Sequence, residues 1–278
     1  GDVDAARSQR ALAATLAGTS PHPGRAWSFF VYDAGLATLE GRFDAAERLI
    51  DEASRIGRRI EHPYARGVQR VHSAVLARAR GDEARVLAIF DPTLPVRQGP
   101  MQWVQAFVAR ALAAVGRSDE ARRLLDNLAD GGFAAIPRNI RWHGTIVEVA
   151  HLCADLGDAA YADALRPLLL PVAQEHGVLP LAICYGGPVS RCLARIAELL
   201  GESDEAHHRY QEALDACRAL GARPMQAQVL LEQGMLMVRR GERSRGRERV
   251  AEAVAVAEAL GMRGVAESGR AVLERGRG

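Results

Sequence analysis

The chain has 278 residues and a formal net charge of +2, and all 36 of its basic side chains are arginine. Without lysine there can be no phosphate-binding loop ending in Gly-Lys-Ser/Thr, no Schiff-base lysine and no kinase-type lysine. Apolar residues at 48% beside charged residues at 25% describe a core-forming chain, and the small net charge sets up no overall pull toward nucleic acid or anionic lipid.

Residues 2–17, DVDAARSQRALAATLA, carry helical apolar periodicity and read as a leading helix. The first 30 residues lack a signal-peptide pattern, and no run approaches the ~20 apolar residues of a membrane helix. From residue 36 onward one motif recurs. A glycine closes an apolar helical stretch, and a short acidic segment opens another, as in LATLEGRFDAAERLIDEA (36–53) and ALAAVGRSDEARRLLDNL (111–128). The hinge glycines are Gly41, Gly81, Gly116, Gly157, Gly201 and Gly241, spaced 40, 35, 41, 44 and 40 residues apart. Recurrence at a period near this size is the signature of a repeat architecture.

Each unit is expected to be two antiparallel helices. Ala194, Ala197 and Leu200 before the hinge, and Ala206, Tyr210 and Ala213 after it, follow helical spacing. Glycine at the hinge tolerates the left-handed backbone that ends a helix. Ser118 and Ser203 are expected to be N-caps, followed by first-turn acids that complement the positive helix start. Two units depart from the pattern: Arg166 stands where a large apolar residue belongs, and Gly246 where a small alanine belongs. The unit around Gly81 is short and runs into Asp91-Pro92-Thr93-Leu94-Pro95, where proline is expected to end the helix. Strand signals are nearly absent, and Gly186-Gly187-Pro188 reads as a turn. The fold class is therefore all-α, one repeat domain over 1–278: a leading helix within 1–26, about six helix pairs in 27–262, and a closing helix and tail in 263–278.

Chemistry-bearing constellations are sparse. Cys153, Cys184, Cys192 and Cys217 form no Cys-x-x-Cys pair and read as buried apolar side chains in a reducing, cytoplasmic setting. His207 and His208 are adjacent, so they point about 100° apart and cannot share one metal unaided. The segment RRGERSRGRER (239–249) holds six arginines and two glutamates. It reads either as an anion contact or as a solvated turn, and the lack of interleaved aromatics favours the turn. Long connections at 129–142 and 171–188, with Trp142 and Tyr185, read as binding loops or as plugs at irregular junctions.

Small residues within the first helix, glycine at the turn and alanine five residues later make the pattern resemble tetratricopeptide repeats. The usual period of these is about 34 residues; the longer period here resembles the superhelical arrays of large bacterial LuxR-type signal-transduction ATPase regulators and related nucleotide cyclases. The segment YGGPVSRCLARIAELLGESDEAHHRYQEAL (185–214) carries that likeness most strongly. The resemblance implies a fold, an α-α superhelix, and a role as a non-catalytic sensor or regulatory module of a transcriptional regulator. It also implies a concave groove lined by the first helix of each unit, which carries over onto Arg78, Trp103, Arg110, His151, Arg191, Arg195 and Glu198. Such a groove would take a protein, a peptide or a small molecule, arginine suiting a carboxylate or phosphate. The residues themselves, with no ligand-spaced cluster, a small net charge and no long apolar run, lead to the expectation of no cofactor, no metal, no direct nucleic-acid contact and no membrane association. The chain, beginning at Gly1, reads as a piece of a longer array whose neighbouring domains are also partners. Two other functions stay open: a scaffold holding domains or protomers together, and a helical-repeat enzyme using His151, Glu148 and an arginine in one pocket.

Overall fold

The computed structural model describes residues 3–17, 23–90, 102–180 and 183–275. Among these residues the chain is almost entirely α-helical. After α1 (Val3–Ala17) come α2 (Pro23–Glu40) with α3 (Phe43–Arg59), α4 (Ala65–Ala79) with α5 (Glu83–Ile89), and α6 (Gln102–Ala114) with α7 (Ser118–Ala129). Then follow α8 (Trp142–Leu156) with α9 (Ala159–Leu169), α10 (Val189–Leu199) with α11 (Ser203–Leu220), α12 (Arg223–Arg239) with α13 (Arg243–Leu260), and α14 (Arg263–Arg275). The expected helix end at Asp91-Pro92-Thr93-Leu94-Pro95 lies outside the described residues, as do the first residues of the leading helix and the last three of the tail. No helix among the described residues is long and apolar enough to cross a membrane.

All six hinge glycines separate two helices and have φ between 67° and 88°. At Gly157 the left-handed residue lets Asp158 N reach back to Cys153 O at 2.9 Å, closing α8 before α9 begins. The residue directly after the hinge is the cap. Asp82 and Asp158 occupy that place and accept from Arg85 N and Tyr161 N, each at 3.0 Å. Ser118 and Ser203 are one residue too late: Arg117 and Glu202 are the caps, and neither makes a side-chain cap bond.

Packing follows the repeat grammar. Five residues past the hinge, Ala46, Ala121, Ala162 and Ala206 are fully buried, and nine past it Ile50, Leu125, Tyr210 and Val250 fill the core. A buried side chain of that size contributes about 1.5–3 kcal/mol. In α9 that ninth place falls to Arg166, which leaves the core and pairs with Glu202 at 2.9 Å. Leu165, one residue earlier, is fully buried instead, because positions three and four beyond Ala162 share one helix face. Gly246 also has a reason: it meets Gly234 of α12, so α12 and α13 touch backbone to backbone.

Strand is scarce among the described residues, as expected, but the reading of Gly186-Gly187-Pro188 as a turn needs correcting. β1 (His176–Val178) and β2 (Tyr185–Pro188) form an antiparallel hairpin, with Gly177 opposite Gly187. The Gly186-Gly187-Pro188 segment is thus strand, not turn. The reason is steric: a Cβ on Gly177 would stand 2.8 Å from Val147, so only a glycine-rich ribbon can lie flat on α8.

The two ends of the helical series are in contact. Phe43, Ala46 and Leu76 from the first pairs share one apolar cluster with Ala227, Ala257, Met262 and Ala266 from α12–α14. Gly41 packs on Leu260, and Gly81 lies against the backbone of Gly264.

Candidate binding site

The inner helices α4, α6, α8, α10 and α12 each contribute charged side chains to one continuous run of ion pairs. Arg78 Nη1 and Arg110 Nη1 both donate to Glu148 Oε2, at 3.4 and 2.9 Å. Arg110 Nε donates to Asp155 Oδ2 at 2.8 Å, and Arg195 Nη2 donates to the other oxygen at 2.8 Å. Arg195 Nε then approaches Glu232 Oε1 at 3.6 Å. Arg191 closes the run as a fork on Glu232, its Nη2 and Nε bonds measuring 2.8 and 2.9 Å. Arg78 is additionally fixed by Glu83 and lies over the Phe107 ring, 3.6 Å from its centroid.

Helical periodicity explains this convergence. Glu148 and Asp155 are seven residues apart on α8, and Arg191 and Arg195 four apart on α10, so each pair shares a face. Arg110 and Arg195 also stand six residues before their hinge glycines, which brings equivalent positions of different units to the same level. Burial alone would raise the carboxyls of Asp155 and Glu232. The guanidinium groups outweigh it, Arg110 then Arg195 for Asp155 and Arg191 then Arg195 for Glu232, and hold both below the usual carboxylate range.

The run borders two hollows. One, of about 510 Å³, is bounded by α2, α4, α6, α8, the hairpin, α10, α12 and α14, and so by both ends of the chain. Its wall includes Arg78, Arg110, Arg191, Glu148 and Glu232. The other, of about 410 Å³, is lined by Arg78, Arg110, Arg195 and Asp155.

Four of the seven expected groove residues therefore come together: Arg78, Arg110, Arg191 and Arg195. Three do not. Trp103 is buried and stacked on Phe107 at 4.7 Å, as an apolar ring inside a helix junction should be. His151 is wholly buried behind the ion pairs, between Cys192 Sγ at 3.6 Å and Arg195 Nη1 at 3.3 Å. Glu198 is occupied by Tyr210 Oη at 3.0 Å and Arg239 Nη2 at 2.5 Å, and lines neither hollow. The acids of the run were not singled out as groove residues. Their signal lies in the hinge register, since Glu148 and Glu232 each precede a hinge glycine by nine residues.

Of the two long connections, the second supplies the hairpin. Tyr185 faces the larger hollow and shares a hydrogen bond with His176 Nδ1 at 3.1 Å. Trp142 instead opens α8 as a buried residue, with Arg138 over its ring at 4.3 Å.

Cys192 and His151, side by side behind the run, are both held in their neutral forms. Burial pushes the Cys192 thiol up to about 12. Burial, and then Arg191, Arg110 and Arg195, keep His151 neutral, so the pair does not form a thiolate with an imidazolium. His151 and Glu148 make no bond to each other and engage different arginines. Among the described residues no cluster of three or more His, Cys, Asp or Glu side chains could hold a metal. The arginine-rich segment 239–249 is largely engaged: Arg239, Arg240, Arg245 and Arg249 pair with acids, and Arg247 donates to Leu273 O. No protein-family model and no curated protein matches this sequence.

Proposed function

We propose that this chain is a tetratricopeptide-like α-α superhelical array serving as a non-catalytic, ligand-binding regulatory module of a bacterial LuxR-type signal-transduction regulator, working in the cytoplasm. The observation that carries the binding reading is the hollow of about 510 Å³, walled at once by α2 and α4 near one end of the chain and by α12 and α14 near the other. An occupant there touches both ends of the array, so its binding energy acts on how those ends meet. A ligand that favours the closed arrangement over an open one biases whatever is attached to either end. Arg78, Arg110 and Arg191 supply fixed donors in the wall, and Leu39, Val75 and Val265 supply apolar surface.

The test is a thermal-melting survey of the purified protein against a broad metabolite and peptide panel. A cognate ligand raises the melting temperature in proportion to the logarithm of its concentration above its Kd. Flat curves across the panel would count against the sensor reading and favour the scaffold, which sedimentation with neighbouring domains of the parent chain then tests.

A further inference from the structure

The charges around the larger hollow are balanced and already spent on one another. Its wall carries three arginines, Arg78, Arg110 and Arg191, and three glutamates, Glu83, Glu148 and Glu232. Every one of the six is ion-paired within that set. A ligand with a net charge would therefore enter a nearly neutral site without a free counter-ion of its own. Such a charge finds a partner only by pulling an arginine from its glutamate, which then leaves that carboxylate unpaired in turn.

One donor in the wall is poorly satisfied. The Arg191 side chain is only 5% exposed, and two of its nitrogens are consumed by the fork on Glu232. Its remaining nitrogen, Nη1, faces the sulfur of Met225 at 3.0 Å. A thioether is a weak acceptor, and a buried guanidinium is among the strongest donors a protein has. Met225 also lines the hollow, so the space beside this donor opens onto the cavity. An oxygen acceptor placed there would exchange a weak contact for a charge-assisted hydrogen bond and disturb no ion pair.

We propose that the hollow takes an uncharged amphipathic small molecule, whose carbonyl-type oxygen replaces the Met225 sulfur at Arg191 Nη1 while its apolar body lies along Leu39, Val75, Leu231 and Val265. This rests on the ligand-binding reading above and narrows it from any groove ligand to a net-neutral one. It also runs against the expectation, drawn from arginine content alone, of a carboxylate or phosphate: each arginine in the wall already has its anion.

Four probes with one apolar body separate the classes: hexanamide, hexanoate, hexylammonium and hexyl phosphate, titrated by ligand-observed NMR. Hexanamide binds at least about tenfold more tightly than the three charged probes, the worth of roughly one hydrogen bond to a charged group. In Met225→Gln the side-chain amide offers Arg191 an internal oxygen, and hexanamide binding weakens by a similar factor. Met225→Leu, which offers none, retains it. Neither variant touches an ion pair, and near-native circular dichroism and melting curves establish that both fold. A charged probe binding as tightly as hexanamide overturns the neutral class, and indifference to Met225→Gln overturns the Arg191 anchor. Absence of binding by all four overturns both. The sensor reading falls separately, on the metabolite and peptide panel.

Discussion

Gly234 and Gly246 face each other across the contact of α12 with α13: a Cβ on Gly246 would stand 2.7 Å from Gly234 O, and one on Gly234 would stand 2.8 Å from Gly246 O. Neither obstacle is a flexible side-chain end; both are backbone. Gly246→Ala gains about 1 kcal/mol of helix propensity but must push two helices apart, which costs more. The expected net result is a loss of about 1–3 kcal/mol in urea unfolding, where an unobstructed glycine would show a gain. A stabilised Gly246→Ala protein would contradict the backbone contact.

The shared position of Arg110 between Glu148 and Asp155 makes it the least replaceable member of the ion-pair run. Arg110→Met keeps most of the volume, leaves the buried Glu148 with only the longer contact to Arg78, and leaves the more exposed Asp155 with only Arg195. Breaking a buried pair by removing one partner typically costs about 3–5 kcal/mol. Arg166→Met is the control, since Arg166 is more exposed and its pairs with Glu202 and Asp163 are superficial; its cost stays below about 1 kcal/mol. Chemical denaturation of the two variants side by side decides whether the run contributes to stability.

His72 is a buried imidazole whose Nε2 has no partner, and burial lowers its pKa from 6.5 to about 4. Below pH 6.5 the unfolded chain takes up a proton that the folded protein refuses. The contribution of neutral His72 is therefore complete above that pH and drains away as pH falls toward 4. Between pH 7.5 and pH 5 this amounts to about 2 kcal/mol from this residue alone. His72→Leu removes the titration, so the stability difference between the two pH values, measured in urea, shrinks by about that amount. An unchanged difference would mean that His72 reaches solvent.

The caps separate by position, not residue type. Asp158→Ala removes the acceptor for Tyr161 N and the partner of Arg122, and is expected to cost about 1 kcal/mol or somewhat more. Ser203→Ala, one place past its cap, changes stability by less than about 0.5 kcal/mol. Thermal melts of the two variants check both halves of the statement. A large effect at Ser203 would restore it as a cap.

The all-α class and every hinge were legible because glycine with left-handed φ and alanine at a crossing are local requirements, stated within a few residues. Arg78, Arg110, Arg191 and Arg195 came from the resemblance, which names positions on the first helix of each unit, with the hinge glycines supplying the register. What register leaves out is what stands opposite. Trp103 lies on a suitable position and is nevertheless sealed by Phe107, and the partners Glu232 and Asp155 arrive from helices distant in sequence. The hairpin escaped notice because its glycines are selected by contact with Val147, a tertiary reason with no propensity signature. The meeting of the ends escaped likewise, since contacts such as Gly41 with Leu260 join segments remote in sequence and have no local signature.

That meeting changes how the molecule comes apart. In an open array each unit leans only on its neighbours, and unravelling can begin at either tip and progress inward. Here Gly41 rests on Leu260 and Gly81 on Gly264, so the α2–α4 region and the α12–α14 region cannot separate from the rest without giving up contacts with each other. Joining segments so remote in the chain carries a loop-closure entropy that grows only with the logarithm of their separation, so modest burial at the junction offsets it. The consequence is a shared fate for the extremities: shortening the protein at α14 should loosen hydrogen-exchange protection in α2 and α4, and damage at one terminus is felt at the other before it reaches the middle.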